Sequence, residues 1–84
     1  MTFKNLFNRN GDQLAKEAIN DYQKSKDEFE VIKKLQKAIK IGIVNYSLDQ
    51  IYLYIGASYY DLSIYDKAIE AYEKGLEYNK ENHS

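Results

Sequence analysis

Few residues of this sequence could do acid–base, nucleophilic or metal chemistry. The single histidine, His83, lies in a polar stretch, and there is no cysteine to supply a thiolate nucleophile or metal ligand. Toward the C-terminus, glutamates share a helix face with Lys67 and Lys74, a pattern typical of surface ion pairs. The sequence contains no glycine-rich phosphate-binding loop. We therefore predict no catalytic residue, no metal site, no cofactor and no enzymatic activity.

Tyrosine is the abundant functional side chain instead, and its chemistry suits packing and binding. Residues 52–60 read YLYIGASYY, with four tyrosines around one glycine. A buried tyrosine ring covers a large apolar area, but its hydroxyl then needs a hydrogen-bond partner. The spacing of these rings along the secondary structure decides which of them form a core and which form a binding surface.

Charge and length restrict the class of partner. The 84 residues carry a net charge of −1, and lysines make up all but one of the 12 basic residues. Nucleic-acid binders usually have a strongly basic face, and arginine is the preferred side chain for phosphate, so we expect no nucleic-acid partner. Lys33, Lys37 and Lys40 share one helix face, which leaves an RNA-binding or regulatory role as an alternative to a solvated surface.

The sequence has no apolar run of membrane-spanning length and no signal-peptide pattern, so we expect a cytoplasmic protein with no membrane partner.

Apolar residues recur at helical spacing in four segments, which predicts an all-α fold. The helices are expected at roughly 12–24, 28–41, 48–61 and 65–79. In the second segment the recurring apolar residues are Phe29, Ile32, Leu35 and Ile39. Helix starts are indicated by Ser25 or Asp27, by a capping box of Ser47 with Gln50, and by Ser63. Because the connections are short, consecutive helices should pack antiparallel as hairpins.

The second half of the chain resembles the tetratricopeptide repeat family. That pattern is an aromatic, Leu-Gly, Tyr, then Ala and a second aromatic, over 34 residues. Residues 49–82 fill these positions with Tyr52, Ile55, Gly56, Tyr59, Ala68 and Tyr72. Two positions depart from the pattern, because Gly75 stands where alanine is usual and Lys80 where proline closes the repeat.

The first half aligns with the second at an offset of 37 residues, which places LQKAIKI (35–41) opposite YEKGLEY (72–78). We interpret residues 12–45 as a degenerate first repeat, with an unrelated helical hairpin as the alternative. The predicted organisation is an N-terminal arm or cap (1–11), one domain (12–82) and a tail (83–84). In the arm, Phe3, Leu6 and Phe7 have amphipathic spacing, and could cap the first hairpin or dock onto a neighbour.

The resemblance implies a concave groove that binds an extended peptide or a helix of a partner protein. The positions that would line it are Gln13, Lys16, Asn20, Gln50, Leu53, Tyr54, Ala57, Tyr60 and Asp61. Lys16 and Asn20 have the spacing of the family's carboxylate clamp, but the other clamp positions do not match, and ordinary surface residues are the simpler interpretation. Leu53 and Tyr54 are the better apolar anchors, with packing between helices as the alternative.

The end of the predicted stack lacks a polar capping helix, which stacked repeats usually need. The last helix should therefore leave apolar residues uncovered, namely Ile69, Tyr72, Leu76 and Tyr78. An exposed apolar patch of this kind usually marks an interface. Three hypotheses follow: a protein-interaction module, a self-assembling homo-oligomer, and an RNA-binding or regulatory helical protein.

Overall fold

A computed structural model describes residues 11–83 of the chain, with side chains through Asn79. Its helices are α1 (Asp12–Gln23), α2 (Glu28–Ile41), α3 (Leu48–Asp61) and α4 (Tyr65–His83). The predicted all-α fold is confirmed, and helix bounds agree within one residue, except that α4 continues to His83. The N-terminal segment 1–10, with its predicted amphipathic residues, lies outside the described residues, as does Ser84.

The helices form two hairpins that stack on each other. Helix α1 packs on α2, α4 packs on α3, and α3 also lies against both helices of the first hairpin. Each hairpin turns at a serine with left-handed backbone, Ser25 with φ 58° and Ser63 with φ 64°. The two turns share this backbone conformation, and Ser25 and Ser63 are 38 positions apart, one more than the offset of the predicted alignment.

An aspartate carboxylate accepts a backbone hydrogen bond near the start of both α2 and α3, but only at α2 is this aspartate one of the predicted capping residues. The Asp27 carboxylate accepts a hydrogen bond from the Phe29 backbone N–H at 3.0 Å, which caps α2. At the start of α3 the Ser47 side chain makes no capping bond, so the predicted capping box was wrong. Asp49 instead accepts from the Gln50 backbone N–H at 3.0 Å, because it places a carboxylate in the first turn where amides are unpaired.

The main core lies between the first hairpin and α3. Its central residues are the fully buried Ala15, Ala18, Val31, Leu35, Ala38 and Ile51, with Ile55 nearly so. Alanines of α1 and α2 allow close approach, and the larger side chains of α3 fill the space between them. The apolar period predicted for α2 was wrong at Phe29, which is exposed. Helix α2 contacts both α1 and α3, and these contacts bury the side of α2 that carries Val31 and leave Phe29 exposed.

Two aspartates 37 positions apart fix the ends of the hairpins. The Asp12 carboxylate in α1 accepts from the Val44 N–H at 2.9 Å and from both nitrogens of Asn45. In α3, the Asp49 carboxylate accepts from the Asn79 side-chain amide at 2.9 Å. In each hairpin the first turn of the first helix thereby holds the chain near the end of the second helix.

Candidate functional site: the end face of α3 and α4

Exposed apolar side chains concentrate on the side of α3 and α4 that faces away from the first hairpin. We call this surface the end face, and its residues are Leu53, Tyr60, Tyr65, Ile69, Tyr72 and Leu76. In the described chain, five of the eight exposed large hydrophobic residues belong to it. Leu53, Ile69 and Leu76 are 57%, 56% and 66% exposed, respectively. Such concentration of apolar side chains on one surface is typical of an interaction site.

An open groove of about 570 Å³ runs between α3 and α4 on the end face. Leu53, Tyr72 and Leu76 supply its apolar walls, and Gly75 lies between them. One end is polar, and is lined by Ser47, Asp49, Gln50 and Asn79. The groove therefore offers apolar contact along its length and hydrogen bonding at one end.

Glycine at two positions brings α3 and α4 close enough to form this groove. A Cβ on Gly56 would lie 2.6 Å from Cε1 of Tyr72, so the missing side chain leaves room for the ring. A Cβ on Gly75 would lie 3.3 Å from the Asp49 carbonyl oxygen, which is also a tight approach. The repeat-signature residues Gly56 and Tyr72 thus form a packed pair, and this pair orients one wall of the groove.

Acidic side chains border the end face. At about 100° per residue, Asp66 and Glu73 follow the outer edge of the apolar row of α4. Asp61 follows that of α3, on the side where its carboxylate also accepts a hydrogen bond from Tyr22 of the first hairpin. All three of these side chains are exposed. The described lysines of α4 lie elsewhere, since Lys67 and Lys74 line a groove on the opposite side. The end face is therefore apolar in the middle and negative along its edges.

The opposite groove, of about 260 Å³, lies between α2, α3 and α4. Tyr52 forms part of its wall, with Lys74 Nζ 5.7 Å from the ring centroid. Tyr78 stacks on Tyr52 with centroids 5.7 Å apart and planes 4° from parallel. Tyr78 is thus half-buried next to Tyr52 and lies away from the end face. The sequence predicted it on one exposed face with Ile69, Tyr72 and Leu76.

The residues predicted for the concave groove divide into three environments. Gln13, Lys16 and Asn20 are exposed on α1. Gln50 and Leu53 line the end-face groove, where the predicted peptide groove and the predicted association face meet. The remaining positions on α3 differ in exposure: Tyr60 and Asp61 are exposed, whereas Ala57 and Tyr54 are half-buried. The sequence did not reveal that Leu53 shares one groove with Tyr72 and Leu76, because this depends on how α3 and α4 are rotated about their axes.

Tyr54 packs between the hairpins. Its ring meets that of Tyr22 edge-on, with centroids 5.6 Å apart, and both rings lie against the core. Burial, followed by the charge and hydrogen bonding of Asp61, raises the pKa of the Tyr22 hydroxyl. Much of the Tyr54 surface is therefore used in packing between helices, which was the alternative interpretation. Leu53 is the more accessible of the two predicted anchors.

The first hairpin carries an ion-pair network at the other end of the stack. Lys34 Nζ of α2 lies 2.8 Å from the Asp21 carboxylate and 3.8 Å from Glu17, both on α1. The hydrogen bond from Lys34 is the main cause that lowers the pKa of Asp21, and the same bond raises the pKa of Lys34. On the lysine stripe, Lys33 lies 3.7 Å from Glu30, so part of its positive charge is locally balanced.

Replacing Asp21 by asparagine should reduce stability near neutral pH and leave stability at low pH almost unchanged. A carboxyl whose pKa is lowered on folding contributes stability above its unfolded pKa, and this contribution is lost as pH falls through the folded pKa. The difference between wild type and Asp21→Asn should therefore close below about pH 4. Urea unfolding at pH 7, 5, 4 and 3 measures it. In a Lys34→Met background Asp21→Asn should have a much smaller effect at pH 7, and an undiminished effect would contradict the assignment to this ion pair.

The described residues include neither a metal-binding cluster nor a helix that could span a membrane. No group of three His, Cys, Asp or Glu side chains there comes together to hold a metal ion. None of the helices in that part of the chain combines the length and apolar character needed to cross a membrane.

Two stacked helical hairpins are the architecture of a helical-repeat protein. Residues 50–82 match the family model of the tetratricopeptide repeat, which supports a repeat of this family in the α3–α4 hairpin. The predicted resemblance of 49–82 is confirmed, while the assignment of 12–45 as a degenerate first repeat stays a prediction. Comparison with curated proteins and with solved structures gives no significant match. This repeat family generally mediates protein–protein interactions, and its members are typically non-catalytic scaffolds.

Proposed function

We propose that this chain is a protein-interaction module that binds a helical segment of a partner protein on the end face. The observation that carries the proposal is the open apolar groove between α3 and α4, with Leu53 and Leu76 exposed on its walls. An exposed apolar surface of this kind is unfavourable in water, and covering it would contribute about 25 cal/mol for each Å² buried.

The first hairpin shows what kind of element such a groove accepts. Helix α3 lies against both α1 and α2 and inserts Ile51 and Ile55 into the core. The second hairpin has the same antiparallel arrangement, but within the described chain no further helix covers it. A partner helix with apolar residues at i, i+3 or i+4 and i+7 would complete the end face as α3 completes the first hairpin.

The concave surface of α1 and α3 would extend this site. Leu53 lies where the two surfaces meet, so a bound segment could also contact Lys16 and Asn20 on α1. Binding mainly on that surface is the second version of the proposal, because these two side chains are exposed and have the spacing of the family's clamp.

Replacing Leu53 and Leu76 by glutamate should strongly weaken partner binding, because each change places a charge on the apolar wall of the groove. The full chain is used as bait, and proteins captured by wild type and variant are compared by quantitative mass spectrometry. A captured candidate is then purified and its affinity measured by calorimetry. Loss of two central apolar contacts should weaken binding by at least about 2 kcal/mol, or roughly thirtyfold.

Val44→Glu is the matched control, since Val44 is 74% exposed and lies in the loop before α3, outside the end face. It should retain binding, and circular dichroism should show that all variants stay helical. Undiminished affinity of the Leu53→Glu/Leu76→Glu variant would overturn the proposal for the end face. Loss of affinity in Lys16→Ala/Asn20→Ala, with the end-face variant unaffected, would instead place the site on the concave surface.

A further inference from the structure

We propose, on the basis of the function proposed above, that the end face binds residues 1–10 of a second copy of this chain. The occupant would be the segment MTFKNLFNRN, and the receiving surface would be the apolar row of α4 together with Leu53 of α3. Length, apolar spacing and charge each support this choice of occupant.

The length of the segment fits the end face. On α4 the apolar row runs from Tyr65 to Leu76, which is about 16 Å at 1.5 Å per residue. Ten residues in a helix would span about 15 Å. Phe3, Leu6 and Phe7 recur at i, i+3 and i+4, so a helix would present them as one apolar edge.

The charges of the segment complement those of the end face. Lys4 and Arg9 are its only charged side chains. At about 100° per residue they fall on opposite sides of the apolar edge, each roughly 110° from its centre. The end face has Asp61 bordering α3 and Asp66 with Glu73 bordering α4. The basic residue on the α4 side would therefore meet Asp66 and Glu73. The basic residue on the α3 side would meet Asp61, whose carboxylate also accepts a hydrogen bond from Tyr22.

Two other homotypic arrangements fit the surfaces less well. Face-to-face pairing of two end faces would bring acidic borders together, which is electrostatically unfavourable. Head-to-tail stacking of whole hairpins would require α1 to enter the groove as α3 enters the first hairpin. At the offset of 37, Glu17 and Asp21 of α1 stand where α3 has Tyr54 and Ser58. That stacking would therefore place carboxylates against an apolar wall, which is costly.

Association should appear as a mass that rises with concentration in sedimentation velocity of the full chain. Reciprocal exchange of the N-terminal segments would close a dimer, and one-directional exchange would build longer chains. Leu6→Glu in the segment and Leu76→Glu in the end face should each abolish association. Val44→Glu should associate like wild type. A monomer at every concentration, including one in which the segment folds onto its own end face, would overturn the proposal.

Mixing the two inactive variants gives the decisive measurement. The Leu6→Glu chain keeps an intact end face, and the Leu76→Glu chain keeps an intact N-terminal segment. Their mixture should form a heterodimer through the one intact contact, whereas face-to-face pairing cannot be restored by mixing. Association that survives Leu6→Glu but not Leu76→Glu would exclude the segment as the occupant.

Charge reversal provides an independent readout. Lys4→Glu/Arg9→Glu should weaken association about fivefold to tenfold at low salt, as expected for two exposed ion pairs. Adding Asp66→Lys/Glu73→Lys should restore about half of the loss, because it reverses only the border that faces one of the two basic residues. No recovery would count against the proposed orientation of charges. If Leu53→Glu/Leu76→Glu lost its partner protein while the wild-type chain showed no self-association, the proposed function would stand and this occupant would be rejected. If that variant kept both its partner protein and its self-association, the proposed function and this occupant would both be rejected.

Discussion

Ile51→Ala is expected to destabilise the protein by about 2–5 kcal/mol, the range for truncating a large aliphatic core side chain. Ile51 is fully buried and joins α3 to the alanine-rich surface of the first hairpin. The small side chains around it have little capacity to move into the space left by the truncation. A domain of this length has about 4–13 kcal/mol of stability, so the change removes a large share of it.

Urea unfolding followed by circular dichroism measures this effect as a fall in midpoint with unchanged slope. Leu53→Ala is the control, since Leu53 lies two residues along the same helix and is 57% exposed. That change should cost less than about 0.5 kcal/mol. Equal losses from the two substitutions would mean that α3 is not packed on the first hairpin through the side that carries Ile51. All chains are compared at a protein concentration where sedimentation shows monomers, because the proposed self-association involves Leu53 and would shift apparent stability.

The helices themselves could be predicted from the sequence because their apolar residues repeat with the helical period. The second hairpin was the clearest part, since Gly56 and Tyr72 occupy signature positions and pack against each other in the structure. The orientation of α2 was less predictable. Its period includes both Phe29, which is exposed, and Val31, which is buried, and the choice between them depends on the positions of α1 and α3.

The candidate site could be predicted only as separate residues. Leu53 was assigned to a peptide groove and Leu76 to an association face, and the structure places both on one groove. Tyr54 was predicted as an apolar anchor, with packing between helices as the alternative, and its contact with Tyr22 joins residues 32 positions apart. Contacts between distant residues depend on the rotation and tilt of whole helices, which the period within one helix does not specify.

Gly56→Ala is expected to destabilise the protein by about 1–3 kcal/mol, although alanine is the better helix former. Helix propensity alone would favour alanine by up to about 1 kcal/mol. The added Cβ would, however, lie 2.6 and 2.7 Å from two carbons of the Tyr72 ring, which is far inside van der Waals contact. Overpacking of this kind forces a side chain off its rotamer or moves the backbone. Because Tyr72 is also a wall of the end-face groove, the displaced ring should weaken binding as well.

The same substitution at Gly75 provides a control in the neighbouring helix. There the added Cβ would lie 3.3 Å from the Asp49 carbonyl oxygen and 3.5 Å from Cβ of Tyr52, a much smaller overlap. The propensity gain should largely offset that overlap and leave stability within about 0.5 kcal/mol of wild type. A double-mutant cycle isolates the cause, because Gly56→Ala should lose its cost when Tyr72 is also replaced by alanine. If the cost persists without the ring, the close approach of α3 and α4 depends on contacts other than the Gly56–Tyr72 pair.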